Sequence, residues 1–439
     1  MKNLFKNKKV LIMGLGLHGG GVGVAKFFCK QKADVLVTDL KTEEKLKDSI
    51  EKLKGLKIKY ALGGHREEDF ISADLIIRNP DVPATSPYLE IAIKNNIAIE
   101  TDVSLFLKLS KAFIIGVTGT KGKSTTSSLI YHLLKQRFKR TFLAGNIGIS
   151  PLELLPETKK GDKVVLELSS FELEGLTQSP SIAVITNILP DHLNRYGTMD
   201  EYIKAKKIIF KYQKKSDFLI LNGDDPVVRN FSKEAPSKVI FFSIDDKPKG
   251  ISLDSFKLFG SHNLSNLFSS IEVAKILKIA PKLIEKGLSS FKGVPSRQEF
   301  IREVSGVKYF NDTTATMPDA VVVAIRAFLE NFPDSRLILI CGGQNKGLKY
   351  NDLAEIIRER VDELVMLPGT ASDKIKESLN GYTRVHDVSS MQEAVKTANK
   401  LAEKGDVVIL SPAAASFNLF KNEFDRGNQF VEAVKKLSK

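Results

Sequence analysis

Three groups of residues in this chain have the types and spacing that chemistry requires. The first is Gly116-Val-Thr-Gly119-Thr120-Lys121-Gly122-Lys123-Ser124-Thr125, set between the apolar run Phe113–Ile115 and the helix-forming stretch Thr126–Leu134. Glycines between a strand and a helix free backbone N–H groups to surround phosphate oxygens. A lysine then reaches the outer phosphates, and a hydroxyl from Ser124 or Thr125 can ligate Mg²⁺. Strict phosphate-loop spacing would place glycine at 117, where valine stands, so this reads as a variant triphosphate loop.

The second group is Gly14-Leu15-Gly16-Leu17-His18-Gly19, which follows the run Lys9–Met13, with Asp39 ending the next apolar run. This pattern suits a diphosphate at a helix N-terminus and a ribose held by the acid. It leaves NAD and UDP equally open. In the third, Glu167 closes the run Lys163–Leu168 and Asp191-His192 follows Ile182–Asn187. Strand ends of one parallel sheet open onto one crevice, so Glu167, Asp191 and His192 are predicted to face the nucleotide as Mg²⁺ or Mn²⁺ ligands. A nicotinamide oxidoreductase would account for Gly14–Gly19 alone and leaves Lys123 without a task.

These loops need strands and helices to carry them. Short β-branched runs alternate with amphipathic stretches along the whole chain, the pattern of parallel sheets wrapped by helices. The fold class expected is α/β with three domains: an N-terminal Rossmann-like domain over 1–102, a central phosphate-loop ATPase-type domain over 103–295 and a C-terminal Rossmann-like domain over 296–439. In the last, strand Leu337–Ile340, helix Asn351–Arg360, strand Glu363–Leu367, helix Ser390–Glu403 and strand Asp406–Leu410 form a βαβαβ series before a closing helix. The length of 439 residues fits three domains at about 150 residues each.

Composition narrows the function classes. With 42% hydrophobic and 27% charged residues the chain is neither disordered nor fibrous. Cys29 and Cys341 are its two cysteines, too few and too far apart for a disulfide framework or thiolate zinc site, which suits a reducing cytoplasm. The basic start Met1–Lys9 runs into a glycine cluster rather than a small-residue cleavage site, and no apolar run is long enough to span a membrane. The formal charge of +14 favours anionic partners. Nucleic acid is not expected among them, because no tryptophan, zinc spacing or RNA- or DNA-binding motif occurs. The lysines at 204, 207, 211, 214 and 215 read as a solvated helix face.

Taken together, Thr118–Thr125, Leu166–Ser170, Asp191-His192, Ala205-Lys206, Gly260-Ser-His-Asn263 with Asn266, Pro295-Ser-Arg297, Asn311-Asp312 and Leu410-Ser-Pro-Ala413 resemble the ATP-dependent Mur ligases over nearly the whole chain. Asn311–Thr316 and Ser411–Phe417, with Gly14-x-Gly16, best resemble the branch that joins D-glutamate to UDP-N-acetylmuramoyl-L-alanine in cytoplasmic peptidoglycan precursor synthesis. That resemblance implies an amide-forming ligase acting through an acyl phosphate with two Mg²⁺ ions; a monomer without membrane insertion or nucleic-acid binding is expected. It implies that Lys123, Ser124 and Thr125 hold ATP phosphates and one ion with Glu167. It further implies that Lys206 is carbamylated and carries a second ion with His192.

By the same resemblance Asn146 contacts the muramoyl substrate or phosphate, Asn263 and Asn266 meet the adenine, and Arg297 and Asp312 close on ATP about a hinge near 295. Gly16, Leu17, His18 and Asp39 would hold the UDP-sugar, and Thr316, Lys346, Ser416 and Phe417 the D-glutamate. Asp191 or His192 is a candidate to take the amine proton or to steer the metal. Three positions depart from the family pattern: Thr314 replaces a lysine, Asn79-Pro80-Asp81 stands where Ser-Pro-Gly is usual, and Glu423 replaces an aromatic beside Phe424.

Overall fold

The computed structural model describes residues 3–17, 19–417 and 419–438. Three sheets follow one another along the chain. The first contains β1 (Lys9–Met13), β2 (Asp34–Asp39), β3 (Ile58–Leu62), β4 (Leu75–Arg78) and β5 (Ala98–Glu100), all parallel in the order β3-β2-β1-β4-β5. The strand order reverses beside β1, so the Gly14 loop leaves the sheet at the point where α/β folds bind ligands.

The second sheet contains β6 (Phe113–Thr118), β7 (Thr141–Gly145), β8 (Lys163–Glu167), β9 (Ile182–Ile185), β10 (Phe218–Asn222) and β11 (Lys238–Phe242), in the order β11-β10-β9-β6-β8-β7. Strands such as β9 are buried at every residue, as parallel strands covered on both faces must be. The first two sheets share one continuous apolar core in which Phe27 and Phe28 meet Leu152 and Leu155. Helix Met199–Lys211 shows how a lysine enters such a core. Its buried residues Tyr202, Ala205, Lys206, Ile209 and Phe210 recur at three- and four-residue spacing, one helical stripe, and Lys206 lies on it. Lys204 and Lys207 lie off the stripe and pair with Glu201 and Glu234.

The third sheet contains β12 (Glu299–Val304), β13 (Val307–Asn311), β14 (Leu337–Gly342), β15 (Glu363–Leu367), β16 (Val385–Asp387) and β17 (Val407–Leu410), in the order β12-β13-β17-β14-β15-β16. The elements of the expected βαβαβ series are present, but a further helix, Thr370–Leu379, and β16 are inserted between β15 and the next helix, and an antiparallel β12–β13 hairpin is added at one edge. Sequence periodicity misses this hairpin because Glu-Phe-Ile-Arg-Glu-Val does not alternate cleanly and most of β12 is partly exposed.

The chain divides into two compact units, Met1–Ser255 with Ser265–Ser289 and Phe256–Leu264 with Ser290–Lys439. The segment Phe256–Leu264 therefore belongs with the third sheet although it precedes Ser265–Ser289 in sequence. Phe259 explains this, since its ring packs 4.9–5.8 Å from those of Phe310, Phe328 and Phe332. Among the described residues no helix is long and apolar enough to cross a membrane.

Candidate active site

The phosphate loop leaves β6 between two neighbours that bring acid and histidine to it. Val117 of β6 pairs with Glu167 of β8, and Thr118 pairs with Ile185 of β9, the strand that leads to His192. The helix that follows begins at Lys123, three residues earlier than its apolar pattern suggests, because Gly122 caps it in the left-handed region at φ 84°. A side chain at 122 would also strike Asn266, whose Oδ1 lies 2.3 Å from where a Cβ would stand. Lys123, Ser124 and Thr125 thus occupy the first helical turn, where N–H groups and the helix dipole favour phosphate.

The loop is pinned before any ligand arrives. Thr120 N–H donates to the Asn187 carbonyl (2.9 Å) and Lys121 N–H to Asn187 Oδ1 (2.8 Å), while Thr186 Oγ1 donates to the Lys121 carbonyl (2.6 Å). Lys123 Nζ folds over the loop and donates to the carbonyls of Gly119 (3.1 Å) and Thr120 (3.0 Å). Glu167, 1% exposed, accepts from Ser124 Oγ (3.1 Å) and Asn146 Nδ2 (3.0 Å) through Oε1. Its other oxygen, Oε2, is buried without a hydrogen-bond partner. A buried carboxylate oxygen left without a donor is costly, and a hard cation beside phosphate would satisfy it. Among the described residues no three His, Cys, Asp or Glu side chains cluster as a metal site, so such an ion would rely on hydroxyl, Glu167 and phosphate oxygens.

Lys206 is a second amine at the loop, and unlike Lys123 it is buried. Also 1% exposed, its Nζ donates to the Gly119 carbonyl (2.9 Å) and lies 3.4 Å from Thr118 Oγ1. Burial holds its amine well below the usual lysine range, and the Lys123 charge pushes it further in the same direction. Tyr202 stacks under it at 4.9 Å and meets Thr120 Oγ1 through its hydroxyl (3.1 Å). Sequence reasoning passed over Tyr202, though its position four residues before Lys206 on one helix face was a usable signal.

His192 takes a left-handed conformation (φ 53°) as the residue before the short helix Leu193–Tyr196, and its ring lies 4.8 Å from that of Phe171. Burial lowers its basicity, Asp191 raises it, and Lys123, Lys206 and Lys121 lower it. Asp191 Oδ2 lies 3.5 Å from Lys121 Nζ.

The Gly14 loop is arranged differently from the sequence expectation. Asp39 Oδ2 accepts from the N–H groups of Leu15 (2.9 Å) and Gly16 (3.3 Å), and Oδ1 accepts from Lys41 N–H (2.9 Å). Both carboxylate oxygens are thus engaged by the chain itself, and Asp39 is 5% exposed. Asn79 Nδ2 donates to the Gly14 carbonyl (3.1 Å), while Asn79 Oδ1 accepts from Asp81 N–H (3.0 Å). The departure at 79–81 therefore braces the loop. Leu17 is exposed, and His18 lies outside the described residues.

In the unit built on the third sheet, Asp312, Lys346 and Ser416 follow the carboxyl ends of β13, β14 and β17. Asp312 accepts from Ser411 Oγ (3.0 Å) and Gln298 N–H (3.2 Å), and burial pushes its carboxyl up to about 7. Lys346 Nζ lies 3.3 Å from Thr316 Oγ1. Ser416 is buried and Phe417 is 72% exposed. Thr314 donates to the Ser296 carbonyl (2.9 Å), next to the exposed Arg297.

Arg426, which the sequence reading did not single out, is wholly buried and donates to Thr313 Oγ1 (3.0 Å), the Thr313 carbonyl (2.8 Å) and the Ala414 carbonyl (3.1 Å). It braces the two loops that carry Thr316 and Ser416. Asn263 and Asn266 share the helix Ser261–Ile276. Asn266 accepts from Thr126 Oγ1 (3.1 Å), and Asn263 donates to the Phe259 carbonyl (2.8 Å) and lies 3.4 Å from Gln298 Oε1.

A phosphate loop, a buried acid with a free oxygen and a buried lysine, set in the second of three α/β sheets, define a nucleotide-dependent enzyme site, and comparison places it. The chain belongs to the Mur ligases: residues 8–101 match the Mur ligase MurD-like N-terminal domain, 117–274 the Mur ligase middle domain and 296–414 the Mur ligase glutamate ligase domain. It is 41% identical to the UDP-N-acetylmuramoylalanine–D-glutamate ligase of Roseiflexus sp. (strain RS-1), covering 97% of this chain and 98% of that one. With the protein of the same name from Clostridioides difficile (strain 630) it shares 38% identity over 98% and 99% of the two chains. The crystal structure of UDP-N-acetylmuramate-alanine ligase from Thermotoga maritima shares the fold, with a TM-score of 0.64 at 20% identity over 98% and 99% of the chains.

Proposed function

We infer that this protein ligates D-glutamate to UDP-N-acetylmuramoyl-L-alanine with hydrolysis of ATP to ADP and phosphate. The observation that carries the ligase reading is the gathering of Lys123, Lys206 and the partnerless Glu167 oxygen around one loop carbonyl and one helical turn. The amino acid is supported by full-length similarity to D-glutamate ligases at 36–41% identity.

A carboxylate is a poor electrophile, so the acid is first converted to an acyl phosphate by attack on the γ-phosphoryl group of ATP. The amine of D-glutamate then attacks the acyl carbon, and phosphate leaves. Two anions must approach for the first step. At about 4 Å and an effective dielectric near 20, each pair of unit charges repels by about 4 kcal/mol, which positive charge at the loop must offset. Lys123, released from the Gly119 and Thr120 carbonyls, supplies one such charge.

Mg²⁺, when bound, would neutralise phosphate oxygens, and Ser124, Thr125 and Glu167 are the residues suited to hold it. Lys206 is suited to carbamylation by CO₂, since a buried amine held below its usual range keeps the neutral form that reacts. The resulting carbamate and His192 are assigned to a second ion. Asn263, Asn266, Arg297 and Asp312 are assigned to ATP, Gly16, Leu17 and Asn146 to the sugar nucleotide, and Thr316, Lys346, Ser416 and Phe417 to D-glutamate.

The test is phosphate release from ATP with UDP-N-acetylmuramoyl-L-alanine and a panel of D-glutamate, L-alanine and meso-diaminopimelate. Release with D-glutamate alone is expected. Release with another member of the panel would reassign the amino acid, and none with any would remove the ligase reading.

A further inference from the structure

Away from the phosphate loop, one buried ion cluster ties the first sheet to the second. Glu174 stands seven residues beyond Glu167, at the end of the short helix Ser170–Leu173. Its Oε2 accepts from Arg195 Nη2 (2.9 Å) and Arg78 Nη1 (3.3 Å), and its Oε1 accepts from the Tyr196 hydroxyl (2.8 Å). The three charged side chains are only 5–18% exposed, so screening by water is weak.

Both arginines also grip the loop that follows β4. Arg78 Nη1 donates to the Val82 carbonyl (2.6 Å), while Arg195 donates to the carbonyls of Asp81 (2.9 Å) and Pro80 (3.1 Å). That loop is the one Asn79 fastens to Gly14. On the other side Arg195 lies three residues from His192, and its guanidinium covers the Phe171 ring at 4.3 Å, against which the His192 ring also packs. One carboxylate is thereby connected to the sugar-nucleotide loop through backbone carbonyls and to His192 through a ring.

We propose that Glu174 is a positioning residue which, through Arg78 and Arg195, holds loop 79–82 in register with the His192 segment, so that binding of the sugar nucleotide and of ATP reinforce each other. The inference rests on the ligase reading above. Glu174 touches neither reactant. Without its charge two largely buried guanidinium groups face each other with no anion between them, an arrangement that relaxes only if the loop or the His192 segment moves. Each nucleotide keeps its own loop, so its separate affinity should survive. What is lost is the coupling, the quantity by which one ligand changes the affinity of the other.

The experiment compares the full-length wild type with Glu174→Gln, and with Tyr196→Phe and Arg195→Lys as milder lesions should Glu174→Gln fail to fold. UDP-N-acetylmuramoyl-L-alanine binding is titrated calorimetrically with and without adenylyl imidodiphosphate and Mg²⁺, alongside kcat, both KM values and the melting temperature. In the wild type the ATP analogue should tighten sugar-nucleotide binding at least about fivefold, the lower end of ordinary coupling, and in Glu174→Gln by less than about twofold. Each ligand alone should bind within about threefold of wild type while kcat falls about tenfold or more.

Retained coupling in Glu174→Gln, or absent coupling in the wild type, overturns the inference. So does parallel weakening of both ligands with a lowered melting temperature, the mark of a merely structural role. Phosphate release by the wild type keeps those failures separate from failure of the ligase reading, which would show as no release and would remove this inference with it.

Discussion

Replacing Lys206 by methionine or alanine tests the charge logic of the site most directly. Lys123 and Lys206 both donate to the Gly119 carbonyl, at 3.1 and 2.9 Å, so their ammonium nitrogens can be no more than about 6 Å apart. At that separation and an effective dielectric near 20, two ammonium charges repel by about 3 kcal/mol, which disfavours a charge on the more buried one. Burial acts in the same direction, and Lys206 is the more buried of the two. Both effects favour the neutral amine, the form that adds CO₂ by forming one N–C bond and releasing one proton. The product carries a negative charge, so the Lys123 interaction changes from repulsion to attraction.

Loss of that anionic group should lower turnover by at least about 10²-fold, the scale of one electrostatic contact in a transition state. The assay is phosphate release in CO₂-depleted buffer with and without bicarbonate, paired with ¹³CO₂ labelling read by NMR. Wild-type activity should fall on depletion and return with bicarbonate, and Lys206→Ala should be partly rescued by formate or acetate. Lys206→Met keeps the buried aliphatic stem, so its melting temperature should stay near wild type while its activity does not. A Lys206→Met enzyme retaining a tenth or more of wild-type turnover, or wild-type activity indifferent to CO₂, would refute the reasoning.

Three other perturbations follow from the same geometry. Lys123→Ala should lower turnover at least about 10²-fold, since its amine, bonded here to the Gly119 and Thr120 carbonyls, is placed to reach phosphate; near-normal phosphate release would remove its assignment. Gly119→Ala should cost about 1–3 kcal/mol and weaken binding of the ATP analogue, since Gly119 has φ 147° and a Cβ there would stand 1.9 Å from Thr186 Oγ1. Unchanged thermal unfolding would contradict it. Asp312, raised to about 7 by burial, binds a proton in the folded state across a window from about pH 4 to 7 where the unfolded chain has released it. Its contribution to stability is therefore present at the acid end and lost as pH rises through 7. Wild type should lose stability relative to Asp312→Asn between pH 5 and 8 in scanning calorimetry, and a constant difference would count against the shift.

Much of the architecture was legible because parallel strands are written as short apolar runs. Lys9–Met13, Asn351–Arg360 and Glu363–Leu367 have the bounds read from sequence. Features whose cause lies across the chain were not legible. Nothing local in Phe256–Leu264 announces that Phe259 will join the aromatic rings of Phe310, Phe328 and Phe332. Asp39 has the spacing of a ribose ligand, yet the N–H groups of Leu15 and Gly16 claim one of its oxygens, a competition that spacing cannot express. Glu174 and Arg426 escaped notice because a buried charge reads like any surface charge until its partners are known.

The two lysines at the phosphate loop divide one task. Both hold the Gly119 carbonyl, but only Lys206 is enclosed by the core stripe of its helix, with Tyr202 beneath it. Lys123 projects from the first turn of its helix and bonds two neutral carbonyls, contacts weaker than those it would make to a phosphate oxygen. An arriving triphosphate can therefore draw Lys123 away while Lys206, Thr186 and Asn187 keep the loop in shape. Had one lysine served both purposes, each binding event would have loosened the backbone that must receive the phosphates. On the carbamylation proposal, the buried position of Lys206 would serve the loop in its amine form and the chemistry after CO₂ addition, so its removal should affect turnover more than nucleotide affinity.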